Sequence, residues 1–196
     1  MIRFFSNLAI ALILPITIGI LMPVQADEFD LREYPEPLDG PFTGGFGEQS
    51  CHSCHFDHDL NDSRGKLLIK GISTSYEPDQ VYEIEIKLEH EEMKNGGFQL
   101  TARFEDGTQA GEFEWVNDRL TYTPERRVGT EVKYVQHSAE GSELTGNRKS
   151  NWVFYWKAPA GGDKPIIFNI AANAGNDDLS AFGDWIYLKE IKLMPQ

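Results

Sequence analysis

Between Tyr82 and Glu105 the chain alternates apolar and polar side chains with a period of two. Tyr82, Ile84, Ile86 and Leu88 are interleaved with Glu83, Glu85 and Lys87. Phe98, Leu100, Ala102 and Phe104 are interleaved with Gln99, Thr101, Arg103 and Glu105. Successive side chains of an extended chain point to opposite faces, so each stretch predicts a strand with one apolar and one wetted face. Further strands are expected over 66–72, 111–116, 119–122, 131–137, 151–157, 165–172 and 185–192. Turn-forming runs separate them, such as Lys94-Asn95-Gly96-Gly97, Asn117-Asp118 and Pro159-Ala160-Gly161-Gly162. Some eight or nine short strands at this spacing imply an all-β sandwich. Trp152, Phe154 and Trp156 share one strand face and are expected in its core.

Ahead of the strands stands Cys51-His52-Ser53-Cys54-His55, the C-x-x-C-H spacing of a c-type haem attachment site. Two thiols three positions apart can each bond one haem vinyl group, and the next residue brings an imidazole to the iron as proximal ligand. These are the only two cysteines in the chain. Two other uses stay open. In an oxidising compartment the pair can close a small disulfide, and Cys51, His52, Cys54, His55, Asp57 and His58 are residue types that bind zinc. No Gly-x-Ser-x-Gly elbow or phosphate-cradling glycine loop is present, which points to an electron carrier rather than an enzyme.

Residues 1–26 read as an export signal: Arg3, an apolar run from Leu8 to Met22, and Val24-Gln25-Ala26 as a small-residue cleavage site. Pro15 and Gly19 interrupt the run, so no stable membrane insertion is expected once it is removed. The protein is expected to be periplasmic or secreted. That suits the motif, because in cytochromes c haem is attached outside the cytoplasm. Without Arg3 the chain carries 17 basic and 31 acidic residues, a net −14. This balance excludes nucleic acid and anionic lipid as partners and favours a redox protein with a basic docking patch. Residues 27–47, rich in proline, glycine and acids, predict an extended lead-in with little packing of its own. Residues 48–65 form the haem-attachment segment and 66–196 the sandwich.

The order of several short motifs resembles the reeler superfamily, and more closely its bacterial choice-of-anchor V type domain, in which a C-x-x-C-H-like element can precede the sandwich. The motifs are Tyr76-Glu77-Pro78, Gly97-Phe98-Gln99-Leu100, Gly111-Glu112-Phe113, Val135-Gln136-His137-Ser138, Trp152 to Trp156 with Ala158-Pro159, and Phe168 to Asn173. The resemblance implies an immunoglobulin-like antiparallel β-sandwich, here with an N-terminal haem-binding loop segment. It implies little about activity, since one fold carries many functions. Pro78-Asp79 stands where such domains often have Pro-Gly.

His137, in the Val-Gln-His-Ser motif, is the first candidate for the distal iron ligand, with a hydrogen bond inside the sandwich as its other use. His58 sits too near His55 in sequence and is expected to meet water or a propionate. His90, among Glu89, Glu91 and Glu92, is expected in a solvated loop, with Met93 beside it as a thioether donor. The reading is an exported monohaem c-type cytochrome held by Cys51, Cys54 and His55. Its alternative is a non-catalytic reeler-like binding or adhesion module with a Cys51–Cys54 disulfide or a zinc site. A haem with an open face would instead suit a peroxide or nitrogen-oxide reductase.

Overall fold

The computed structural model describes residues 40–123 and 131–196. The expected signal and the first part of the lead-in lie outside the described residues. Ten strands are formed among the described residues: β1 Gly65–Lys70, β2 Ser75–Tyr76, β3 Val81–His90, β4 Asn95–Phe104, β5 Glu112–Glu114, β6 Leu120–Tyr122, β7 Val135–His137, β8 Lys149–Lys157, β9 Ile166–Gly175 and β10 Trp185–Pro195. One sheet has the order β1-β3-β8-β5 and the other β2-β10-β9-β4-β7-β6. Every pair is antiparallel except β2 with β10, whose two-residue partner periodicity does not reveal. The all-β sandwich is as expected, and among the described residues no helix is long and apolar enough to cross a membrane.

The core follows the alternation. Ile84, Ile86 and Leu88 of β3 are fully buried and stand opposite Phe154, Trp152 and Ser150 of β8. From the other sheet Phe98, Leu100, Phe168 and Ile170 meet them. The indole N–H groups of the buried Trp152 and Trp156 find partners: Nε1 donates to Gly141 O at 2.9 Å and to Ala110 O at 3.0 Å, respectively.

The second face of β4 departs from expectation. Gln99, Thr101 and Arg103 are buried rather than wetted: residues 40–48 cover Gln99 and Arg103, and Thr101 Oγ1 donates to Lys133 O at 3.0 Å. Gln99 Oε1 accepts from Phe42 N at 2.6 Å, and its Nε2 donates to Gly40 O at 2.8 Å and to Thr123 Oγ1 at 2.9 Å. Arg103 Nη1 donates to Glu48 Oε1 at 2.6 Å, and the Tyr134 hydroxyl donates to the same oxygen. Burial, with the neighbouring Glu48, holds the Tyr134 phenol well above its ordinary range. In the described part of the lead-in, Gly45 permits a close approach to β9. A Cβ at Gly45 would lie 2.2 Å from the Asn169 side chain of β9, so only glycine permits that approach. Further along, the chain is tied to β10: Asn61 N donates to Ile186 O and Leu188 N donates to Asn61 Oδ1, both at 2.9 Å.

Candidate functional site

Between these two anchorages the chain closes one tight turn over the end of the larger sheet. Cys51–Ser53 form a 3-10 turn, with Cys54 N and His55 N both donating to Cys51 O, at 3.3 and 3.1 Å. Side chains three apart eclipse in such a turn, so both cysteines are presented on one side. They stand as unlinked thiols. Beneath the turn is a cavity of about 280 Å³. Cys51, Cys54 and His55 line one wall, with Phe42 and Ser50. Gly96, Gly97, Phe98 and Gln99 of β4, Gln136 and His137 of β7, Asn173 of β9 and the loop from Asn176 to Asp184 line the rest.

Three residues of the C-x-x-C-H motif and His137 therefore meet in one cavity. Burial, reinforced by the neighbouring Cys54, pushes the Cys51 thiol up to about 12 despite a backbone hydrogen bond that opposes it. Of the two uses anticipated for His137, the hydrogen bond inside the sandwich is formed. Its Nδ1 lies 3.1 Å from both the N and the O of Phe98. The tautomer that donates to the Phe98 carbonyl makes Nε2 the basic nitrogen, as a metal-ligating histidine requires. Burial lowers its affinity for a proton, opposed by the hydrogen bond to the Phe98 backbone and aided by the Arg119 charge. The ring rests on Gly97, where a Cβ would come within 2.7 Å of it.

His55 is held differently. Its Nδ1 is sealed from solvent and lies 2.8 Å from Oδ2 of Asp184, at an angle short of a directed hydrogen bond. Asp184 is itself only 5% exposed. Its Oδ2 accepts from Asn173 Nδ2 at 3.1 Å and its Oδ1 from Asn176 N at 2.9 Å. Sequence reasoning missed Asp184. Nothing local marks it, since it is one acid of many and meets His55 only through the fold.

The remaining histidines fall elsewhere. His52 Nε2 lies 3.0 Å from His58 O. His58 and His90 stack on Trp185, with ring centroids 4.8 and 4.0 Å away. His90, expected in a solvated loop, is buried against that indole, and Met93 is buried in the core. None of these lines the cavity. Among the described residues no three His, Cys, Asp or Glu side chains cluster as metal donors, so the zinc alternative finds no ligand set. A haem asks less of the protein, because its ring supplies four nitrogens and only one or two axial donors are needed. Two thiols on one side of a turn, an imidazole beside them and a second imidazole lining the same cavity are donors of the kind that group takes. The volume is at the lower edge of small-molecule sites, about 300–1,000 Å³.

Comparison with known proteins gives a consistent family and a fold. No curated protein matches the chain. Among solved structures, the Reelin-N domain of F-spondin aligns with a TM-score of 0.50 at 18% identity, covering 74% of this chain and 96% of that one. The human F-spondin reeler domain (fragment 1) aligns at 0.46 and 15% identity, covering 69% and 94%. The profile of the Reeler domain matches residues 49–177. The match spans both sheets and takes in the cysteine turn, and the chain belongs to the Reeler domain family.

Proposed function

We propose that this reeler domain is a non-catalytic, exported binding module whose cavity holds one covalent haem c, and that it carries single electrons to or from a partner protein. The observation that carries the reading is the meeting of Cys51, Cys54 and His55 with His137 in one cavity. Cys51 and Cys54 would hold the group by thioethers, His55 would be the proximal ligand and His137 the distal one. The bound haem would supply one reversible electron at iron. The chain's own part is to fix both imidazoles, through Asp184 and the Phe98 backbone, and to limit water around them. Phe56, Leu179 and Phe182 are exposed near the cavity among Asp57, Asp177 and Asp178. An apolar rim with acidic neighbours suits a partner with a basic docking patch.

The test is a pyridine haemochrome spectrum and an intact mass of protein exported from a host with active haem-attachment machinery. A c-type spectrum and one added haem are expected, both lost in Cys51→Ala/Cys54→Ala. A colourless protein, unmodified or lighter by two hydrogens, overturns the haem. The second reading, a binding module with a Cys51–Cys54 disulfide, would then stand. Membership of the Reeler family favours it, since that fold needs no cofactor to close its core.

A further inference from the structure

Asp184 is a buried carboxylate without a basic side chain to balance it. Among the described residues its one ion-pair partner is His55, at 2.8 Å, and no Lys or Arg pairs with it. Buried carboxylates are stable when paired or when they face a metal centre. Asn173 and Asn176 supply hydrogen bonds but no charge. They also fix the carboxylate in place, with Oδ2, the oxygen that accepts from Asn173, 2.8 Å from Nδ1 of His55. That nitrogen is sealed from solvent and in need of an acceptor. Histidine ligands of metals commonly give their second N–H to a carboxylate, which sets the tautomer and makes the ring a stronger electron donor.

We propose that Asp184 is the positioning residue for His55 and sets the redox poise of the site by biasing it toward the oxidised state. This rests on the haem reading above. With the haem bound, Asp184 would accept a hydrogen bond from Nδ1–H of His55, leaving Nε2 as the nitrogen that would hold the iron, and would keep a negative charge beside that ligand. Reduction adds one electron and removes one positive charge at the iron, Fe(III) + e⁻ → Fe(II). A fixed anion nearby therefore disfavours that step.

The experiment is spectroelectrochemical titration of the haem-loaded wild type, Asp184→Asn, Asp184→Glu and Asp178→Asn. Asp178 is a carboxylate on the cavity wall that is not in contact with His55. Asp184→Asn keeps the shape and is expected to shift the one-electron equilibrium about tenfold toward ferrous, which is 59 mV. Asp184→Glu, which keeps the charge, is expected to restore much of the wild-type value, and Asp178→Asn to change it little. Equal shifts in Asp184→Asn and Asp178→Asn, or no shift in either, overturn the proposal while leaving the haem in place. Proton NMR of the ferrous wild type gives a second readout that needs no variant. A slowly exchanging His55 Nδ1–H is expected, and a rapidly exchanging one overturns the assignment. A wild type that carries no haem overturns the underlying reading and this one with it, an outcome distinct from the others because it is colourless.

Discussion

Replacing Gly97 by alanine tests whether the His137 ring rests on that residue. The added Cβ would lie 2.7 Å from Cε1, 2.9 Å from Nε2 and 3.2 Å from Nδ1 of His137, and these are its three nearest neighbours. The φ of Gly97 is outside the left-handed region, so alanine is not strained there by its backbone. The substitution should gain about 0.4–1 kcal/mol from a less flexible unfolded chain. Against this, forcing a methyl group into a packed site costs about 1–3 kcal/mol. The net expectation is a loss of about 1–2 kcal/mol, or about 0.5–1 M in the urea midpoint for a slope of about 2 kcal/mol/M. The decisive assay is a double-mutant cycle by urea unfolding with His137→Ala. With the ring gone the clash goes too, so Gly97→Ala should be neutral or stabilising in that background, a coupling of about 1.5–3 kcal/mol. An equal cost in both backgrounds would refute the reasoning, because the methyl group would then be colliding with something other than His137.

Three further outcomes are expected. Glu48→Ala should cost about 3–5 kcal/mol in urea unfolding, because it strips a buried guanidinium of its counter-charge; Arg103 is 4% exposed, and a loss under 1 kcal/mol would mean that water reaches it. Stability should fall as pH drops below about 6.5, with His90→Gln flattening the slope. Burial, helped by Arg64 and opposed by Asp62, Glu92 and Glu91, holds His90 below its ordinary 6.5, so the unfolded chain takes the proton first. A slope unchanged in His90→Gln would assign it to other groups. In haem-free protein Cys51 should react with iodoacetamide far more slowly at pH 8 than an open cysteine, its thiolate being scarce with the thiol at about 12. Peptide mass mapping reads this directly, and labelling at the rate of a model thiol would show the sulfur to be open.

The strands with long, strict alternation, β3, β4 and β8, were legible in the sequence, because a period of two reports which side chains face the core. It does not report what covers the other face. Gln99, Thr101 and Arg103 look like a solvent face in sequence. Gln99 and Arg103 are covered by Phe42 and Glu48, which lie 57 and 55 residues away, and Thr101 donates to Lys133 O. The same limit hid Asp184, whose meaning lies wholly in its distance to His55. It also hid His90, whose acidic neighbours suggest a solvated loop while its ring stacks on Trp185. The cysteine spacing was legible because its chemistry is local. His137 was legible only through the order of motifs around it.

The segment that carries Cys51 also sets an order in time. Every residue of the hydrophobic core cluster lies at Leu67 or beyond, so the two sheets can close on each other before residues 40–62 settle on the larger one. Once settled, that segment leaves Cys51 half-buried on the cavity wall. Any catalyst that must bond this sulfur therefore works on a chain whose sandwich can already be complete but whose leading segment is still loose.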